Sequence, residues 1–141
     1  MSFDPATQGW RQMRSGAMPA GIGFPWAMRS DDGWRYGLLT TPEHANPQGA
    51  LHGGILMTFA DHGLSLLAWE AANRAQCTTI QLNTHFLAAV RPGDFVELHG
   101  EVTRATLGLV FVRGKLLVGV RDVAAVDGIW RVFRAADRQT G

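Results

Sequence analysis

The chain has one cysteine, Cys77, in 141 residues. No intrachain disulfide can form, and a reducing compartment is the expected setting. Surplus charge is nearly absent too: 13 Lys and Arg against 12 Asp and Glu leave a formal net charge of +1. The basic residues are scattered, so the chain lacks the field that draws nucleic acid or an anionic membrane. No run approaches the ~18 consecutive apolar residues of a membrane-spanning helix. Asp4, Gln8, Arg11 and Arg14 break up the N-terminus where a signal peptide would be apolar. Internal repeats, low-complexity tracts and linkers are also missing. These absences lead to one cytoplasmic domain over residues 1–141, with no nucleic-acid or membrane partner, and a length within the roughly 100–150 residues typical of a domain.

What is present divides into a helical and a strand-rich part. Residues 4–14 read as a short helix, with Asp4 as N-cap, Pro5 at the first helical position and Gly16 beyond the end. From Ser15 to Trp26 the chain is rich in Gly, Pro and Ala and reads as an irregular crossing, pinned to the core by Phe24 and Trp26. Residues 34–41 read as a first strand, followed by a polar loop from Pro42 to Gly49. Gly53 to Ala72 has helical length and is apolar nearly all round, the pattern of a buried helix. Its exceptions, Thr58, Asp61, His62 and Ser65, recur at i, i+3, i+4 and i+7 and so form one polar stripe.

After the helix the hydrophobic period changes to two. Residues 78–87, 95–106, 109–118 and 123–133 read as strands. Arg91-Pro92-Gly93-Asp94 is the turn between the first two of these. Asp127-Gly128 fits either a hairpin turn or a bulge within one long strand. Antiparallel strands following one buried helix give an α+β domain, a curved sheet wrapped round a central helix.

The chemistry concentrates in Asn46-Pro47-Gln48-Gly49-Ala50-Leu51-His52-Gly53-Gly54, then six residues and Asp61. Gly53 and Gly54 open the helix, where backbone N–H groups are unpaired and the helix dipole is positive. Glycine admits a close substrate, and such amides suit the oxyanion of an attacked carbonyl. Asp61 stands mid-helix among Phe59, Ala60 and Leu64, where an idle charge would be costly. The segment closely resembles the signature of hotdog-fold thioesterases, in the PaaI-like branch typified by phenylacetate-pathway enzymes. The resemblance continues through Thr79-Ile80-Gln81-Leu82-Asn83, Phe86-Leu87 and Arg91-Pro92-Gly93-Asp94, and covers residues ~34 to 135.

That resemblance implies a hotdog fold and an acyl-CoA or aryl-CoA thioesterase without metal or organic cofactor. Asp61 would be nucleophile or general base and Gly53 the oxyanion donor. Asn46, His52 and Thr79 would assist catalysis, while Gly54, Ser65 and Asn83 would bind substrate. Gly53 and Asp61 lie about 12 Å apart along the helix axis, too far to act on one carbonyl. The family resolves this by pairing two chains with antiparallel helices, so a homodimer, or a tetramer of two dimers, is implied. Trp34, Phe59, Trp69, Phe86 and Trp130 are candidates for the acyl pocket, and Arg91, Arg104, Arg113 and Lys115 for the CoA phosphates. His62, His85 and His99 lack metal-ligand spacing and read as structural or surface residues. The rival readings are an acyl-CoA sensor, a hotdog hydratase or dehydratase, and an oligomerisation module. The Asp-Xaa-Asn-Xaa-Xaa-His signature of the hydratases is absent.

Overall fold

The computed structural model describes residues 2–14, 18–19 and 21–134. Seven strands and one long helix are found there: β1 (Arg11–Gln12), β2 (Trp26–Ser30), β3 (Gly33–Leu39), α1 (Gly53–Ala71), β4 (Gln76–Phe86), β5 (Phe95–Ala105), β6 (Leu109–Val118) and β7 (Arg121–Phe133). All pair antiparallel in one sheet of order β1-β2-β3-β5-β6-β7-β4. The expected α+β layering is therefore present, with α1 packed mainly on β4, β5 and β6.

The N-terminal segment departs from expectation. Asp4 does cap a helical start, its Oδ1 accepting from the Ala6 N–H at 3.1 Å, and Pro5 stands first. But only a 3-10 turn forms, Pro5–Gln8, and Gly9 ends it at φ 87. The next residue explains the early stop. Trp10 is 6% exposed and sets its ring edge-on to Phe95 at 5.0 Å, which draws the chain onto the sheet. Gly16 lies outside the described residues. Phe24, expected to pin the crossing, is instead half exposed. Trp26 opens β2, a strand the sequence reading missed, paired with Gly37 of β3. Proline before it and two aspartates after it hide its alternation.

The strands after α1 lie within a few residues of their expected limits. Asp127 and Gly128 prove to be neither turn nor bulge. β7 runs through them in unbroken register with both neighbours, and the nearby irregularity between Thr79 and Gln81 of β4 faces Trp130 and Ile129. Gly128 is needed for closeness: a Cβ there would stand 2.5 Å from the Gln81 carbonyl oxygen and 2.7 Å from the Trp130 ring.

α1 is less covered than its apolar composition implies. Leu56, Phe59, Ala60, Gly63, Leu64 and Ala68 are buried against the sheet, a stripe at helical spacing. Ile55, Met57, Leu66 and Trp69 are only half buried, alongside the polar Thr58, Asp61 and His62. One flank of the helix faces β4, the other β3, and the side between them is open. No helix among the described residues is long and apolar enough to cross a membrane.

Candidate active site

The loop before α1 is rigid because its polar groups bond one another. Asn46 Oδ1 accepts from the Gln48 and Ala50 N–H groups at 3.0 and 3.1 Å, an Asx turn closed by the Asn46 N–H donating to the Ala50 carbonyl at 2.7 Å. Gly49 completes it at φ 83, in the left-handed region that favours glycine. Leu51 N–H then donates to Val90 at 2.8 Å, fixing the loop to the segment after β4. The Asn46 carbonyl oxygen is thus spent on building the loop.

His44 was missed in the sequence and is the loop's deepest anchor. It is 2% exposed. Thr41 N–H donates to its Nδ1 at 3.1 Å, which leaves the proton on Nε2 to bond the Gly21 carbonyl at 2.8 Å. The His44 carbonyl accepts the His52 N–H at 3.0 Å, so the residue before Gly53 hangs from a buried imidazole. His52 itself is the helix N-cap residue with an exposed side chain. The signal that could have found His44 is its place two residues before Asn46.

Gly53 and Gly54 are the first residues of α1, and their N–H groups precede any intrahelical acceptor. A Cβ on Gly53 would touch the Phe86 ring at 3.0 Å, whereas one on Gly54 would meet nothing within 4 Å. Beside them Leu51, Leu56, Phe86, Leu87 and Val90 line an open apolar hollow of about 410 Å³.

Two turns along α1, Asp61 is half buried on the flank facing β4. The Thr79 hydroxyl donates to its Oδ1 at 2.6 Å, and Oδ2 has no hydrogen-bond partner among the described residues. His62, the next residue, is half buried with its pKa pushed below the usual histidine value, burial outweighing the opposing pull of the Asp61 charge.

The structure joins Thr79 directly to Asp61, and Ser65 and Asn83 are held by other partners. Ser65 accepts a hydrogen bond from the Trp130 indole N–H at 2.8 Å, and Trp130 is fully buried. Asn83 points to the opposite face of the sheet: in the alternation of β4 it lies across from Asp127, to whose Oδ1 its amide donates at 2.8 Å. Of the five aromatic candidates, Phe59 and Trp130 are core residues without exposure, Phe86 flanks Gly53, and Trp34 and Trp69 wall a separate groove. Arg113 and Lys115 pair with Glu101 and Asp122 at 2.7 and 3.7 Å, Arg104 is exposed, and Arg91 reaches the Gly49 carbonyl at 3.4 Å. Among the described residues no three His, Cys, Asp or Glu side chains converge as a metal site.

Comparison with known proteins adds to this geometry. A family model described as the thioesterase superfamily matches residues 48–124. A Pseudomonas aeruginosa protein provisionally named an esterase is 32% identical over 91 residues, 64% of this chain and 68% of that protein. The BH2602 protein of Bacillus halodurans, solved with CoA, aligns with TM-score 0.67 at 21% identity, over 74% of this chain and 70% of its own. A phenylacetic acid degradation-related protein of Ralstonia eutropha aligns with TM-score 0.67 at 22% identity, over 90% and 87%. At these identities the structural likeness establishes a shared fold.

Proposed function

The chain belongs to the thioesterase superfamily, and from that premise we propose that it hydrolyses acyl- or aryl-CoA thioesters to the free acid and CoA, with Asp61 as the catalytic carboxylate. The observation that carries this reading is the Thr79–Asp61 hydrogen bond of 2.6 Å on the open flank of an otherwise apolar helix. A carboxylate held by one oxygen keeps the other free to act. Oδ2 takes a proton from water as that water attacks the acyl carbon, or attacks that carbon itself before water releases the acid. In either route the C–S bond breaks and the CoA sulfur leaves as thiolate, then takes up a proton. The thioester oxygen, negative in the transition state, would be met by the Gly53 amide at the positive end of α1. CoA in the BH2602 structure supports the choice of thiol.

The two halves of this site come from two copies of the chain. Eight residues at 1.5 Å each put Gly53 about 12 Å from Asp61 along one axis, so each helix supplies one half to its partner. The surface that would join them is on hand. β4 is the edge of the sheet, eleven residues long, with Ile80 and Phe86 more than half exposed. A long open edge of this kind, carrying exposed Ile80 and Phe86, is a template for a second strand. Antiparallel pairing of β4 with its own copy sets the two helices side by side, with Asp61 facing the partner's helix. It would also cover Ile55 and Met57, left half buried on α1.

The test is thiol release from a panel of acyl- and aryl-CoA thioesters, wild type beside Asp61→Ala. Turnover that falls ~100-fold or more in a folded mutant supports the assignment. Full activity in Asp61→Ala overturns it.

A further inference from the structure

Across α1 from Asp61 lies an open groove of about 610 Å³, between β1–β3 and the C-terminal half of the helix. Its volume suits a small-molecule group. Met13, Met28, Trp34, Leu66 and Trp69 give it apolar walls, and Tyr36 stands between the strands and the helix. Leu66 and Trp69 follow Asp61 by five and eight residues, about 7.5 and 12 Å farther along the axis. They belong to the part of the helix that the sheet leaves half covered.

Three polar side chains of this groove, Tyr36, Arg11 and Arg29, have neither a hydrogen-bond nor an ion-pair partner among the described residues. Tyr36 is 5% exposed and its ring packs at Gly63, where a Cβ would meet it at 3.4 Å. Among the described residues its hydroxyl has no hydrogen-bond partner, and it is not sealed from solvent: the fully buried side-chain atom left without a partner is Thr84 Oγ1. Burial and the nearby Glu70 charge push its pKa up to about 12, so it remains a donor. Arg11 and Arg29 also line the groove. Neither forms an ion pair with any described residue; Arg29 lies over the Trp34 ring at 5.3 Å. The one acid in the lining, Glu70, is already paired with Arg74 at 3.3 Å. A phenol and two guanidiniums beside an apolar trough match an apolar stem that ends in an anionic pair of oxygens.

We propose that this groove receives the acyl half of the substrate, and that the preferred acyl group is a medium-length chain ending in a carboxylate, selected by Tyr36 with Arg11 and Arg29. The assignment rests on the thioesterase reading and narrows its substrate to the monothioesters of dicarboxylic acids. A plain alkyl chain would fill the trough but leave the Tyr36 hydroxyl unpaired against it. Sites built to hydrogen-bond a substrate reject the analogue that lacks the partner.

The experiment compares octanedioyl-CoA with octanoyl-CoA, alike in length, in wild type, Tyr36→Phe and Arg29→Ala. Wild type is expected to favour octanedioyl-CoA by about tenfold or more in kcat/KM. Tyr36→Phe should lower that value about tenfold, mainly through KM, and leave octanoyl-CoA nearly unchanged. Arg29→Ala should shift the same preference in the same direction. Equal or better use of octanoyl-CoA by wild type overturns the proposal, as does a Tyr36→Phe effect common to both thioesters. Calorimetric titration with free octanedioate and octanoate reads the groove without catalysis. Octanedioate binding that weakens in Tyr36→Phe upholds the groove even if no thioester is cleaved, and in that event the thioesterase reading alone falls. Absence of any preference for octanedioate in both assays ends the proposal while leaving Asp61 chemistry to its own test.

Discussion

Thr79, on the edge strand, and Asp61, on the helix, are 18 residues apart in sequence and 2.6 Å apart in space, hydroxyl to Oδ1. The bond fixes one carboxylate oxygen and so aims the other. Thr79→Val keeps the shape and removes the donor. We expect activity to fall by roughly tenfold, the worth of about 1.4 kcal/mol, with little change in fold, whereas Thr79→Ser should keep most of it. Thiol-release kinetics beside circular dichroism separate these outcomes.

Gly54 offers a test that splits stability from function. A Cβ there meets nothing within 4 Å, and Gly→Ala within a helix stabilises by about 0.5–1 kcal/mol where the backbone permits it. Gly54→Ala is expected to melt at the same or a higher temperature yet lose activity, because the methyl group occupies the space a substrate needs beside the helix amides. A more stable and fully active variant would remove Gly54 from the site.

Ser65 is expected to matter for stability. Ser65→Ala leaves the buried Trp130 N–H without its acceptor at 2.8 Å, an omission that costs about 1–3 kcal/mol. Denaturant unfolding should register that loss while kcat/KM stays within a few-fold of wild type. A collapse of activity without loss of stability would return Ser65 to substrate binding.

His62 sets a pH dependence whose direction follows from its lowered pKa. The unfolded chain takes up this proton near pH 6.5, the folded chain only at lower pH. Stability is therefore unaffected well above 6.5 and declines as pH falls from there through the folded value. His62→Gln should flatten that part of the stability profile, read by thermal melts in the mildly acidic range. An unchanged slope would show that His62 is not the group responsible.

Tyr36 is the only tyrosine of the chain, so ultraviolet titration of its phenol is free of overlap. The midpoint should lie near 12 rather than 10 in the folded protein. Since the unfolded phenol ionises first, stability should fall as pH climbs above 10. A midpoint at the ordinary value would mean that water reaches the hydroxyl freely.

The sequence by itself determined the elements whose cause is local. The polar stripe at Thr58, Asp61, His62 and Ser65 marked α1, period-two alternation marked the four strands after it, and the spacing from Asn46 to Asp61 marked the loop and the helix that carry the candidate site. Each signal depends on residues close together along the chain. Tertiary structure decided the rest. Trp10 ended the first helical turn by packing on Phe95, and β2 exists because β3 pairs with it. Gly128 serves a close approach to Gln81 and Trp130 where its dipeptide suggests a turn. Ser65 turned from the stripe to Trp130, and His44 reached Gly21 across 23 residues. In each case the deciding partner lies far along the chain, and a packing or hydrogen-bonding energy that only the folded chain supplies outweighs the local preference.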